Sequence, residues 1–262
     1  MQIAFWSNVR GRAGNTSLTA SISATIGLEH RLNTVIVNSN KQNCLSRLFE
    51  GDGSHKFSGS GVMNAYQLAR ANKLNSSNIK HYCRTQVKNG CLDLFEDNMW
   101  CENQIFMEEK DAYKRTIECL KDSYDVVCYD IGAGLENKLC NYIMEQSDLI
   151  IVSMNQDRRE WSYLVQLVRS SQVFKNKSVL YVANRYDNRS RVKVSNIKRE
   201  LGIDWPIAIP YDVDFMDSCH EGKILDYLLR NYKCGKEEDG YFFINQVKDL
   251  AGWIVDSKRE AI

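Results

Sequence analysis

Apolar residues along this chain fall into two kinds of run. Short continuous stretches occur at Ile3–Trp6, Thr34–Val37, Cys91–Phe95, Tyr124–Tyr129, Leu149–Met154, Ser178–Ala183 and Ile207–Ile209. Between many of them the apolar positions recur at helical spacing, at about 16–28, 111–121, 136–146, 159–173 and 190–201. Strands that are apolar throughout, rather than at every second position, are buried on both faces. This is the habit of parallel sheets covered by helices on each side. Strand–helix alternation builds βαβ units, so the pattern predicts an α/β, doubly wound, mainly parallel sheet of about seven or eight strands. The strand ending at Trp6 or Ser7 is expected at its centre.

The last periodic segment, Tyr241 to Ser257, predicts a closing amphipathic helix with Phe242, Phe243, Val247, Leu250, Ala251 and Ile254 on one side. Its polar side holds too few lysines for a membrane-surface helix, which favours core packing. Nothing divides the chain. Its two prolines, Pro206 and Pro210, make no linker, and the glycine-rich stretch Gly51–Gly61 reads as a mobile loop within one domain spanning 1–262.

Composition changes this picture little. A chain of 262 residues can bury a core without disulfides or metals. Its 34 basic and 33 acidic side chains leave no dominant footprint for nucleic acid. The nine cysteines, Cys44 among them, include no C-x-x-C pair and read as reduced thiols. No apolar run approaches the ~18–20 residues of a membrane span, and the start does not resemble a signal peptide. The expected location is cytoplasmic. His30, His55, His81 and His220 show no ligand spacing.

The candidate chemistry lies where the first strand ends. Ser7–Ser17 reads S-N-V-R-G-R-A-G-N-T-S: a loop with two glycines that enters a helix through a hydroxyl pair. Backbone N–H groups of such a loop, with the helix N-terminus behind them, suit an anion. Judged against G-x-x-x-x-G-K-[ST], however, it lacks the first glycine (Val9) and the lysine (Asn15). An ordinary tight turn is the competing reading.

The stretch resembles the deviant phosphate loop of the ParA/MinD ATPases, K-G-G-x-G-K-[ST]-[ST]. Arg10 stands at the first lysine, Gly11 and Gly14 match glycines, Arg12 replaces the second glycine, Ala13 fills the variable place, Asn15 replaces the core lysine, and Thr16-Ser17 match. Further likenesses follow in order. Thr34–Gln42 has Asn38 and Asn40 where D-x-D-P-Q is expected. Tyr124–Gly134 retains Asp130. Val182–Asp187 resembles the asparagine loop beside the adenine, and Ile209–Asp212 the I-P-Y-D element. That last element and Glu221–Asp226 are most similar to the TadZ branch, which is associated with polar placement of pilus machinery.

The resemblance implies ATP or ADP held by residues 10–17, with Asn184, Asp187, Pro210 and Tyr211 on the adenine side and Mg²⁺ near Thr16 and Asp130. It also implies a homodimer closed across the loop, with Arg10 and Arg12 expected at the interface, and a protein partner at a cell pole or membrane surface. Chemistry qualifies this. Asn15 brings no charge to the phosphates, and Asn40 cannot take a proton from water, so little or no hydrolysis is expected. Two alternatives stay open: an active ATPase using Arg10 or Arg12 as its cation, and a metabolic P-loop enzyme such as a ligase or an iron-protein relative.

Overall fold

The computed structural model describes residues 1–41, 45–50, 61–87, 91–203 and 206–260. The expected mobile loop Gly51–Gly61, apart from Gly61 itself, lies outside these residues, as do Gln42, Cys44 and His55.

The chain begins with β1 (Gln2–Trp6), α1 (Asn15–His30) and β2 (Thr34–Ser39). Helices α2 (Arg47–Glu50) and α3 (Gly61–Arg70) lead to the hairpin β3 (Cys83–Val87) and β4 (Leu92–Asn98). Then come α4 (Asn103–Glu108), α5 (Lys110–Ser123), β5 (Val126–Ile131), α6 (Lys138–Gln146), β6 (Leu149–Met154) and α7 (Arg158–Ser170). The last part is β7 (Ser178–Tyr186), α8 (Val194–Leu201), β8 (Ile207–Pro210), α9 (Val213–Glu221), α10 (Ile224–Asn231) and α11 (Tyr241–Glu260).

The eight strands form one sheet in the order β3-β4-β2-β5-β1-β6-β7-β8. All pairings are parallel except β3 with β4. Strand β1 is central, between β5 and β6. The predicted fold is therefore the observed one, with β3 as an unforeseen edge strand. Cys83–Val87 is only half-buried along its length. An edge strand with no apolar face leaves no continuous hydrophobic run to read.

Side chains of β1 alternate between two cores. Ile3 and Phe5 pack with α1 and α11, while Ala4 and Trp6 face the helices of the opposite layer. Helix α1 is buried over most of its circumference, between the sheet and α11, and its small polar residues bond back to helix carbonyls: Thr19 Oγ1 donates to Asn15 O at 2.9 Å and Ser21 Oγ to Leu18 O at 3.1 Å.

Helix α11 packs into the core as expected, with one correction. Phe242 is 69% exposed, and Ile244 is buried in its place. With 3.6 residues per turn, the stripe through 243, 247, 250, 251 and 254 extends to 244 and turns 242 outward.

Candidate phosphate-binding loop

Ligand sites in open α/β sheets form beyond the carboxyl ends of strands, where the winding reverses. Here that place is the central β1, whose neighbours β5 and β6 lead to helices on the same layer. Two bonds fix the loop after β1 to the turn after β5: Trp6 Nε1 donates to Gly134 O at 2.8 Å, and Gly134 N to Ser7 O at 3.2 Å.

The loop enters α1 through Gly14, in left-handed backbone (φ 62°). Glycine is required there twice over. A β-carbon would stand 2.8 Å from Asn184 Nδ2 and 3.0 Å from Arg185 Nε, as well as being strained by the dihedral. No side chain caps α1, and its first turn has no acidic residue. Its first N–H groups therefore keep their positive pole towards the loop cavity.

Asn15 is turned away from this cavity. Its Nδ2 donates to Phe5 O (2.8 Å), Asp130 Oδ1 (2.8 Å) and Ile131 O (3.3 Å), and its Oδ1 accepts from Ser153 Oγ (2.6 Å). One amide thus stitches β1, β5 and β6 together. What residue 15 offers an anion is its backbone N–H.

Asp130, 1% exposed, lies one residue before the end of β5 with both oxygens engaged, Oδ1 by Asn15 and Oδ2 by Thr16 Oγ1 at 2.7 Å. Burial pushes its carboxyl up to about 6, against the pull of the Thr16 and Asn15 hydrogen bonds. It binds these two side chains rather than capping the Gly132–Gly134 turn. Nearby, Asn38 is buried and its Oδ1 accepts from Asn40 N at 3.1 Å.

A cavity of about 350 Å³ opens between the loop and α9. Arg10, Gly11, Ala13, Gly14, Asn15, Thr16 and Ser17 contribute to one side, and Met216, Cys219 and His220 to the other. Arg12 is absent from the lining. It is exposed and pairs with Glu160 on α7 at 3.1 Å. Arg10, also exposed, borders both this cavity and a neighbouring one that contains Lys41, Trp100 and Glu136.

The structure does not bring the expected adenine-side residues into this cavity. Asn184 is buried and holds the loop, its Nδ2 donating to Ala13 O (2.9 Å) and Gly14 O (3.1 Å). Asp187, Pro210 and Tyr211 border a separate cavity of about 720 Å³, closed on its far side by residues 236–240, Phe242 and Phe243. The Asp187 carboxylate is occupied by Arg189 at 2.8 Å, which lowers its pKa to about 2. Tyr211 is half exposed.

Glu221–Asp226 has a local geometric role: Glu221 ends α9, Gly222 stops it in left-handed backbone (φ 70°), and α10 starts at Ile224.

The residue that the sequence reading passed over is Arg185. It lines the loop cavity, and its Nε is buried with no hydrogen-bond partner. It lay inside the quoted V-A-N-R-Y-D stretch, between two residues that drew the attention.

These features fit a polyphosphate: an uncapped helix N-terminus, open space beside Gly11 in the loop, and an orphaned guanidinium nitrogen. For a divalent cation the protein supplies only the adjacent Thr16 hydroxyl and Asp130 carboxylate. Among the described residues, no three His, Cys, Asp or Glu side chains converge on one point. That pair suits Mg²⁺ brought in on phosphate oxygens, with the protein completing the shell.

No model of a known protein family matches the sequence, and no curated protein matches it. Solved structures do. A ParA family ATPase from Chlorobium tepidum TLS is 18% identical with a TM-score of 0.75, covering 95% of this chain and 98% of that one. A chain of the MinC:MinD cell division protein complex from Aquifex aeolicus is 14% identical with a TM-score of 0.73, covering 98% and 96%. The septum site-determining protein MinD with Mg-ADP from Pyrococcus horikoshii OT3 is 17% identical with a TM-score of 0.65, covering 97% and 96%. The chain thus has the fold of the ParA/MinD ATPases over nearly its whole length.

Proposed function

We propose that this chain is a nucleotide-binding positioning or scaffold protein of the ParA/MinD kind, with weak or no ATP hydrolysis. One observation carries the reading: Asn15 is built into the sheet, while the N-terminus of α1 stays uncapped beside it. The loop keeps the means to hold phosphates and gives up the charge that would act on the γ-phosphate. On this reading Gly11, Ala13, Gly14, Asn15, Thr16 and Ser17 hold ATP or ADP through backbone N–H groups and hydroxyls. Mg²⁺ is shared between the phosphates, Thr16 and Asp130. Asn184 sets the loop's position, and Asp187, Pro210 and Tyr211 form the outer wall beyond the base.

Two further points support slow chemistry. Asn40, which borders the cavity, cannot act as a base. Arg12 is engaged with Glu160 rather than aimed at the cavity. A protein that binds without cleaving retains one shape for as long as nucleotide is present, which suits marking a place or recruiting an assembly. TadZ-like placement of pilus or secretion machinery at a pole or membrane surface is the specific form of this proposal. Among the described residues no helix is long and apolar enough to cross a membrane. Exposed Arg10, at the mouth of the cavity, is proposed to lie at a homodimer interface.

The decisive experiment measures Mg-ATP binding by calorimetry and turnover on the same sample. Binding with turnover at background is expected. Turnover of ~1 s⁻¹ or more, an ordinary rate for phosphoryl-transfer enzymes, would favour an active ATPase using Arg10. Light scattering with and without Mg-ATP, for the parent and Arg10→Ala, tests the dimer. A monomer under all conditions would remove it.

A further inference from the structure

Four cations stand near the loop, and three have evident surroundings. Arg12 pairs with Glu160, and Lys41 lies 5.0 Å above the Trp100 ring. Arg10 is exposed at the mouth. The fourth, Arg185, is half-buried and lines the cavity, with its Nε shielded from solvent.

Its backbone is unusual. Arg185 has φ 54°, a left-handed conformation that few residues other than glycine adopt. The β7–β8 register shifts between Ala183 and Tyr186, so the strand bulges at this point. A bulge re-aims a side chain, and residues held in strained backbone cluster where a ligand is gripped. Asn184 Oδ1 accepts from Arg185 N at 3.0 Å, which fixes the turn. The result places Nε 3.0 Å from where a β-carbon on Gly14 would stand, beside the first turn of α1. Among the described residues no hydrogen bond or ion pair reaches the guanidinium, although Nε is buried. A buried N–H of a charged group without an acceptor costs stability, so its retention points to an acceptor supplied from outside.

We infer that Arg185 is the cation of the loop cavity, donating to the phosphate chain of a nucleoside di- or triphosphate from the β7 side, in place of the charge lost at position 15. The inference rests on the nucleotide reading above and names the residue that carries its electrostatics. The geometry is consistent with Asn15 at the start of α1: the positive charge stands at the end of β7 rather than on the helix. Guanidinium suits this role, since its fork of donors can meet two phosphate oxygens at once.

The test titrates parent and variants with inorganic tripolyphosphate, ATP and adenosine by calorimetry, with melting curves confirming the fold. Arg185→Asn removes the charge and tolerates left-handed backbone, and Arg185→Gln serves if the first variant does not fold. Loss of charge-assisted bonds is expected to weaken tripolyphosphate and ATP by about tenfold or more, with adenosine unchanged. Arg185→Lys is expected to stay within about threefold of the parent, since it keeps a charge but not the fork. Unchanged tripolyphosphate binding in Arg185→Asn would overturn the inference and leave the nucleotide reading standing. An equal loss in Arg185→Lys and Arg185→Asn would overturn the assignment to charge. A parent that binds neither ATP nor tripolyphosphate would remove both the inference and the reading beneath it.

Discussion

Two strand-to-helix junctions at the carboxyl edge of the sheet are built to opposite plans. At β8–α9 the chain passes from Pro210 through Tyr211 to Asp212, whose carboxylate accepts from Phe215 N at 2.7 Å. The helix closes its own N-terminus within three residues. At β1–α1 the connection is longer, the cap is the left-handed Gly14, and no side chain reaches back. Asn137 and Asp157 likewise cap α6 and α7 with their own side chains. A self-capped helix has spent its first donors, whereas an uncapped one beside a cavity still has them to offer. Beside the loop cavity, the uncapped start of α1 supports the phosphate site proposed above.

The largest effect is expected from Gly14→Ala. The new methyl meets Asn184 and Arg185 and must also adopt left-handed backbone. A loss of about 2–4 kcal/mol is expected, from the dihedral and the overlap together. Chemical denaturation measures it, and polyphosphate binding should fall with it. If the variant is as stable as the parent, the loop is looser than described.

A smaller effect, with a pH signature, is expected from Asp130→Asn. The carboxyl's pKa is about 6 in the fold and 3.8 as an unperturbed group. Between those values the native state holds more protons than the unfolded chain, so stability falls as pH rises from about 4 to about 6 and stays reduced above. Asparagine can accept from Asn15 and donate to Thr16, which removes the titration and keeps both contacts. Relative to the parent the variant should gain on the order of 3 kcal/mol at pH 7.5 and little at about pH 3. Denaturant midpoints at the two pH values decide this, and equal differences at both would show that Asp130 does not titrate in that window.

The smallest effect comes from the closed junction. Asp212→Ala should cost about 1 kcal/mol by loss of the cap and leave tripolyphosphate binding unchanged. A matching loss of binding would mean that the two junctions are coupled through α9 and the contrast is not local.

Much of this architecture was legible because the strands of a covered parallel sheet are apolar throughout. Leu149–Met154 stands out of the sequence at its observed bounds. The edge strand Cys83–Val87 did not, since half-exposed positions carry no period. Glycine spacing and the hydroxyl pair suggested the loop, and the resemblance to the ParA/MinD pattern singled it out together with its neighbour Asp130. Side-chain direction was not legible. A phosphate loop with asparagine for lysine reads equally well with that amide outward, and only the acceptors Phe5 O and Asp130, with the donor Ser153, turn it inward. Arg185 was hidden for a related reason: its role depends on a bulge and a positive φ, neither of which arginine advertises.

The inward amide of Asn15 also bears on how this loop can change over time. Lysine at position 15 would enter a space where the amide serves as both donor and acceptor, and it would leave Ser153 Oγ without its 2.6 Å acceptor. Its ammonium would find the buried Asp130 carboxylate before any phosphate. A single change of Asn15 to lysine would therefore break the lacing of β1, β5 and β6 without supplying a free cation to the loop. Ser153 and Asp130 would have to change with it.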